Sequence, residues 1–397
     1  MTLDPTARRA EPSLSEEPLD RMLPYAGWAG LAIFLLFNLV VVALVLADPD
    51  RRSVVPVYRL GSLGWWRGDD IFGGGIAGFL YLPSFAVLYT PFALLGASLG
   101  DALWRVVSAG LLAYAVWRSF GVLLPAVTGR RKWLVFGASL LLLAPSGFSA
   151  FRNGQATVLL MALMLLGSIA IIEARWWTAA LLLGLAFAIK PLALVLMLLV
   201  GVLYPKLGWR LIVVTIGFLL LPFINPDPAG IVELYRLGIA KVLAAGDPGD
   251  GLWADLTGLL NALGISLSDR VLTGIRVVFA LLALGLAFLA QRRTGRDAPF
   301  NILAIAVVYL MLFNPRTESN TYVMFGCVFA IYAGLLWHRE RRAFASWLMV
   351  WLAVAFVVAI AIYPIGSLWL RPLLCLAFIP FLVWRCLTPP IERALPA

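Results

Sequence analysis

Residues 48–83 read DPDRRSVVPVYRLGSLGWWRGDDIFGGGIAGFLYLP. The stretch carries four Asp, four Arg, the aromatic residues Tyr58, Trp65, Trp66 and Phe72, and a glycine run at 73–75. Apolar runs flank it at 26–47 and 79–99. The first of these supplies the roughly 20 residues that a helix needs to span a bilayer. A polar loop of this length between two lipid-soluble runs lies at one membrane face, and it reads as one wall of an active site.

Composition extends that reading to the whole chain. Of 397 residues, 62% are hydrophobic and 13% charged, and the mean hydropathy is +0.93. Soluble proteins are about half apolar and about a quarter charged. The expectation is an all-α polytopic membrane protein of roughly 11–13 transmembrane helices with no sizeable soluble domain. Fifteen Trp and 11 Tyr suit interfacial belts. A net charge of +10 would raise nucleic acid in a soluble chain. Here Lys and Arg fall mostly in short loops, where positive-inside placement and anionic headgroups account for them. No nucleic-acid partner is expected.

Cys327, Cys375 and Cys386 lie inside apolar runs without metal-ligand spacing, and His338 is the one histidine. These counts argue against a disulfide framework, a His-based zinc site and a Ser-His-Asp triad. Neither a metal nor a cofactor is expected. Residues 1–22 are too long and too acidic for the start of a signal peptide. They read as a disordered cytoplasmic tail, followed by one transmembrane domain over 23–390 with outer-face loops at 48–78 and 225–269. Residues 391–397 read as a second cytoplasmic tail.

The basic loops TGRRK (128–132), PKLGWR (205–210), QRRTGR (291–296) and HRERR (338–342) mark the cytoplasmic face. FRNGQ (151–155), 225–269 and NPRTES (314–319) then share the opposite face with the first loop. This arrangement requires residues 79–127 to cross a net odd number of times, although they look like two passes. Pro83 and Pro91 allow a broken or re-entrant helix there. The run 177–204 is either one tilted helix or two half-helices meeting at Lys190.

Ionisable groups inside apolar runs are costly and point to function. Lys190 sits about twelve residues from each end of its run, too deep to snorkel easily, and Pro191 breaks the helix there. A structural lysine is the plain alternative; the functional one is a point charge offered to a phosphate. In FRNGQ, Arg152 can take phosphate bidentately, while Asn153 and Gln155 add amide donors at a helix start. The plain alternative is a capping turn. In NPRTESNTY, Arg316 and Glu318 can act as ligand and orienter, with Asn320 beside them; an ordinary N-capped loop explains the same residues. Asp69 and Asp70 follow a Trp pair, a combination that suits sugar binding, or equally a Trp-anchored interfacial helix.

The stretches VYRLGSLGWWRGDDIF, FLYLPSFAVLYTPFALL, NGQATVLLMALMLL and GLAFAIKPLALVLMLL, in that order from about residue 57 to 210, resemble glycosyltransferase family 87. The resemblance implies a C-type glycosyltransferase fold. It also implies transfer of a sugar, often mannose, from a polyprenyl phosphate at the extracytoplasmic face of the bacterial inner membrane, to a lipid or glycan acceptor. The family often has an acid a few residues before the Val-Tyr that matches Val57-Tyr58; this chain has Val54 and Val55. The general base is therefore sought in Asp70 first, Glu318 second and Asp69 third, with Asp50 or an acid of 225–269 behind them. Lys190, Arg152 and Arg316 are the expected ligands of the donor phosphate. Tyr58, Arg59, Trp66, Tyr81, Asn153, Gln155 and Asn320 are the expected substrate contacts. A carrier or flippase for lipid-linked saccharide, or a non-catalytic membrane scaffold, would use the same residues without chemistry.

Overall fold

The computed structural model describes residues 18–73, 78–245, 253–339, 343–362 and 366–388. Glycines 74 and 75 of the first loop, Arg341 of the last basic loop, most of the N-terminal tail and the C-terminal tail lie outside the described residues. The described residues are helical throughout their ordered elements and contain no strand.

The first helix, α1 (Pro18–Ala47), is apolar over most of its length and largely open to lipid. It leans on α5 (Gly129–Asn153) where Gly27 and Gly30 meet Gly137. A Cβ on Gly30 would stand 1.9 Å from the Gly137 carbonyl oxygen, so the backbones touch there. Small residues at such crossings are how helices associate in lipid, where no hydrophobic force drives them together.

Between them lie α2 (Val55–Arg67), α3 (Pro83–Ala93) and α4 (Ala97–Leu123). α2 ends where Gly68 adopts φ 75° and its amide caps the last turn. α3 has only eleven residues, about 16 Å of helix, too short to cross a bilayer core. Among residues 79–127 only α4 has the length and apolarity to cross a membrane, which agrees with the odd number of passes that the loop charges demand.

α6 (Ala156–Ile172) follows α5 through Gly154 and packs on α4 and on α7 (Trp176–Ile189). After α7, Lys190 is extended (φ −149°, ψ 125°), residues Pro191–Ala193 make a 3₁₀ turn, and α8 (Leu194–Leu203) follows. Trp176, at the start of α7, lies 6.1 Å ring to ring from Tyr204, just past the end of α8. The two half-helices therefore begin and end at the same level, forming a re-entrant hairpin with Lys190 at its tip. Pro191 has no amide proton to continue the α7 ladder, which accounts for the break.

α9 (Pro205–Leu220), α10 (Pro228–Ala245), α11 (Leu256–Ala262) and α12 (Asp269–Arg293) lead to α13 (Ala298–Phe313), α14 (Val323–His338), α15 (Ala343–Ala361) and α16 (Arg371–Leu387). α14 is buried along its whole apolar window and α13 nearly so; with α6 they form the centre of the bundle. Among the described residues, eight helices have the length and apolarity to cross a membrane, and four shorter apolar helices accompany them, α7 and α8 among these.

The two ends of the bundle differ in chemistry. At the basic end, Asp297 takes Arg339 at 2.9 Å and Arg385 at 2.6 Å. Arg131 and Trp337 both bind Asp20, each at 3.1 Å. At the other end, the first loop, the α5–α6 turn, the hairpin tip and residues 314–322 converge.

Candidate active site

The turn after α5 is dictated by Gly154. Its φ of +68° is left-handed, and a Cβ there would stand 2.4 Å from Val55 and 2.9 Å from the Arg105 guanidinium carbon. A side chain there would meet both the strain of a left-handed backbone and the atoms that fill that gap. The turn closes α5 through the Gln155 amide, which donates to the Ala150 carbonyl at 3.0 Å. It starts α6 with Ala156, whose amide donates to the Tyr58 hydroxyl at 3.2 Å. The Asn153 carbonyl accepts the Val54 amide at 3.1 Å, which ties the first loop to the same turn.

The segment 314–322 arrives from the other side. Thr317 is buried and donates to the Asn314 carbonyl at 2.9 Å. Its carbonyl takes the Ala254 amide at 2.7 Å, and its amide donates to the Asp255 carboxylate. Tyr322 donates to the Ala254 carbonyl at 3.0 Å. Arg316, at φ 60°, lays its guanidinium 4.6 Å from the Trp253 ring centre. These ties aim Glu318 at the α5–α6 turn. Its Oε2 accepts Asn320 Nδ2 at 2.8 Å and Gln155 Nε2 at 3.5 Å, and the carboxylate remains exposed.

Lys190 reaches the same point from the hairpin tip. Its Nζ is 3.4 Å from Thr157 Oγ1 and 5.9 Å from the centre of the Tyr81 ring, and Glu318 is the acid whose charge acts on it. Tyr58 and Tyr81 share a hydrogen bond of 3.0 Å. Burial pushes Tyr58 up to about 12 and Tyr81 well above the ordinary phenol value, so both stay neutral. Tyr58 is further enclosed edge-on by Phe85, Tyr89 and Trp104. A carboxylate, an ammonium, two amides and a hydroxyl thus meet at one place, drawn from three separate segments. That set can accept a proton from a hydroxyl and neutralise a departing anion.

The other candidates are placed elsewhere. Arg59 is held between Asp101 at 2.7 Å and Asp50 at 3.2 Å. Asp69 pairs with Arg67 at 2.8 Å, and Asp70 accepts the Phe72 amide at 2.8 Å. Lys241 of α10 donates to the Phe72 and Gly73 carbonyls at 2.8 and 3.0 Å, on the same stretch of loop. Trp66 packs on Trp65 and donates to Thr90 at 2.9 Å. Arg152 and Asn153 line a cavity with Arg52 and Arg371.

Several members of this end were missed from sequence. Asp101 is fully buried and accepts from Tyr89 at 3.3 Å as well as from Arg59. Arg105, one turn on, donates to the Asp101 carbonyl at 3.0 Å and to Ser53 at 2.8 Å, buttressing the first loop against α4. An acid and a base four apart at the head of an apolar run are the signal that would have found them. Thr157 carries no such signal, because a lone threonine near the start of an apolar helix is ordinary.

No curated protein and no solved structure gives a significant match. The model of glycosyltransferase family 87 matches residues 79–315, more than half of the chain. The match contains Arg152, Asn153, Gln155 and Lys190, begins after Asp70 and ends three residues before Glu318. With its all-helical bundle and its membrane-length apolar helices, the chain belongs to glycosyltransferase family 87 and is a multi-pass membrane glycosyltransferase.

Proposed function

We propose that the protein transfers a hexose, mannose being the first candidate, from a polyprenyl-phosphate donor to a hydroxyl of a lipid or glycan acceptor, at the outer face of the bacterial inner membrane. Glu318 takes the proton of the acceptor hydroxyl as general base. The acceptor oxygen bonds to the anomeric carbon while the bond from that carbon to the phosphate oxygen breaks. Lys190 meets the charge that grows on the leaving phosphate; Arg316, whose guanidinium lies over the Trp253 ring, is the other cation proposed for the donor phosphate.

The reading is supported by the way Glu318 and Lys190, from distant parts of the chain, flank one short stretch: Glu318 Oε2 lies 3.5 Å from Gln155 Nε2 and Lys190 Nζ 3.4 Å from Thr157 Oγ1. Glu318 replaces Asp70 as first choice because the Asp70 carboxylate already caps the Phe72 amide. The re-entrant hairpin also supports the carrier reading, since broken helices are a device of transporters.

Lys190→Met tests the phosphate assignment. The purified variant is expected to insert and fold, and to lose capture of a polyprenyl-phosphate sugar. Donor capture at the unmutated level refutes the assignment. Donor capture without transfer to any acceptor, in the unmutated protein, favours the carrier.

A further inference from the structure

α10 carries three faces. With about 100° between successive residues, Ile231, Leu234, Gly238 and Lys241 fall within about 80° of one another, and all four are buried. Gly238 lies against the Phe72 ring, 2.7 Å from the place a Cβ would take, and Lys241 holds the Phe72 and Gly73 carbonyls. Glu233, Arg236 and Ala240 make a second face that is exposed, and Glu233 pairs there with Arg236 at 2.6 Å. The third face lies between these two. Val232, Ile239 and Leu243 fall within about 40° of one another and are 60%, 57% and 72% exposed. A stripe of large apolar side chains, open among the described residues, marks a surface that something apolar covers.

The fold sets the depth of this stripe. α9 belongs to a membrane-length helical segment that is open to lipid through Leu220, Phe223 and Ile224 at its loop end. Tyr235, near the middle of α10, donates to the Leu219 carbonyl at 2.6 Å and stacks on Phe223 at 6.3 Å. α10 therefore turns back to the level of the last turn of α9 instead of projecting into water. A tyrosine, with its apolar ring and polar tip, suits that level. α10 does not cross: Glu233, Arg236 and Lys241 interrupt it, and it is not among the helices apolar enough to span. Through Phe223 and Tyr235 the lipid-facing surface of α9 runs on toward the stripe. Acyl chains are thus the occupant that the surroundings supply, and a helix with one charged and one apolar face binds at that boundary.

We infer that α10 lies in the lipid–water interface at this end of the bundle, with Val232, Ile239 and Leu243 among the acyl chains, and that this seat holds residues 72–73 of the first loop at the membrane surface through Gly238 and Lys241. The inference goes beyond the assignments of Glu318 and Lys190 and does not depend on them.

The test is a nitroxide scan of the full chain in liposomes of phosphatidylcholine and phosphatidylglycerol. Val232→Cys, Ile239→Cys and Leu243→Cys put the label on the stripe; Glu233→Cys and Ala240→Cys put it on the charged face. The native cysteines are buried and give little background. Collision with oxygen and with a water-soluble nickel chelate gives the depth of each label. The stripe is expected about 5–10 Å below the lipid phosphates, and the two comparators at or above them. Five labels equally open to nickel overturn the inference. So does mutual broadening between stripe labels at high lipid dilution, which puts a second copy of the chain on this face. Hydrogen exchange reads the link to the first loop. Lys241→Met is expected to speed exchange at the Phe72 amide roughly tenfold or more, the effect of losing a hydrogen bond from a charged donor. Leu243→Asp, which draws the stripe toward water, is expected to speed it as well, and Leu243→Ala, which keeps the stripe apolar, to leave it near the unmutated rate. Unchanged exchange in Lys241→Met or in Leu243→Asp overturns the link, and so does equal acceleration in Leu243→Ala and Leu243→Asp.

Discussion

Glu318→Gln separates a base from a bystander. The amide has the shape of the carboxylate, and its oxygen can keep the Asn320 contact of 2.8 Å and the longer Gln155 contact. What it loses is the capacity to take a proton and the charge that faces Lys190. A general base contributes typically 10²–10⁴-fold, so turnover should fall by about that factor. Donor affinity should hold or rise, because Lys190 then has no neighbouring carboxylate competing for its charge. Glu318→Asp draws the carboxylate back by one methylene, and a misplacement of about 1 Å can cost about 10²-fold. The assay is single-turnover transfer from a purified lipid-linked sugar, normalised to folded protein, with donor affinity measured in parallel. Asp69→Asn and Asp70→Asn serve as comparators and should stay within a few-fold of the unmutated protein. Near-normal turnover by Glu318→Gln refutes the assignment, and a large loss in Asp70→Asn alone moves the base to the first loop.

Two further outcomes follow from the same geometry. Gly154→Ala must place a Cβ at φ +68° and 2.4 Å from Val55; left-handed backbone costs about 1–2 kcal/mol and overpacking about 1–3. Thermal unfolding in detergent should show a loss of about 2–5 kcal/mol, and an unchanged midpoint contradicts the packing described. Ser319→Cys should react with a membrane-impermeant maleimide in whole cells, against a low background because Cys327, Cys375 and Cys386 are buried; labelling only after lysis puts the site on the other face.

The helical membrane bundle was legible because the bilayer imposes it: apolar runs of spanning length and basic loops leave few other solutions. Lys190 was legible for the same reason, as a charge where hydrocarbon makes charge expensive. That Glu318 lies near it was not, although Glu318 stood second among the candidate bases. Glu318 lies 128 positions away in sequence, in a loop where acids are ordinary, and only tertiary packing brings it to the hairpin tip. Asp70, by contrast, drew attention through its Trp neighbours, a local signal, and its Oδ1 accepts the Phe72 amide. The hairpin itself lay between two readings because Lys190-Pro191 marks a break without saying whether the chain goes on or turns back. The approach of Trp176 to Tyr204, 6.1 Å ring to ring, decides this, and it depends on which helices surround the pair.

The neighbourhood of Lys190 and Glu318 has an asymmetry that stability measurements can detect. The ammonium is half-buried at the hairpin tip, with Thr157 at 3.4 Å, while the carboxylate is exposed and keeps Asn320 whatever Lys190 becomes. The carbonyl end of α7 favours a cation at Lys190, but only by the modest amount that a helix terminus supplies. Removing the acid therefore strands a charge that water reaches poorly; removing the lysine strands one that water reaches well. Glu318→Gln should accordingly destabilise the protein more than Lys190→Met. The double variant should be no less stable than Lys190→Met alone, since without the ammonium the carboxylate has nothing left to compensate. The coupling between two such neighbours is about 0.5–3 kcal/mol. Unfolding of the four proteins in one detergent measures it. Single effects that add to within about 0.3–0.5 kcal/mol mean that the two groups ignore each other, and the shared site at the hairpin tip then loses its physical basis.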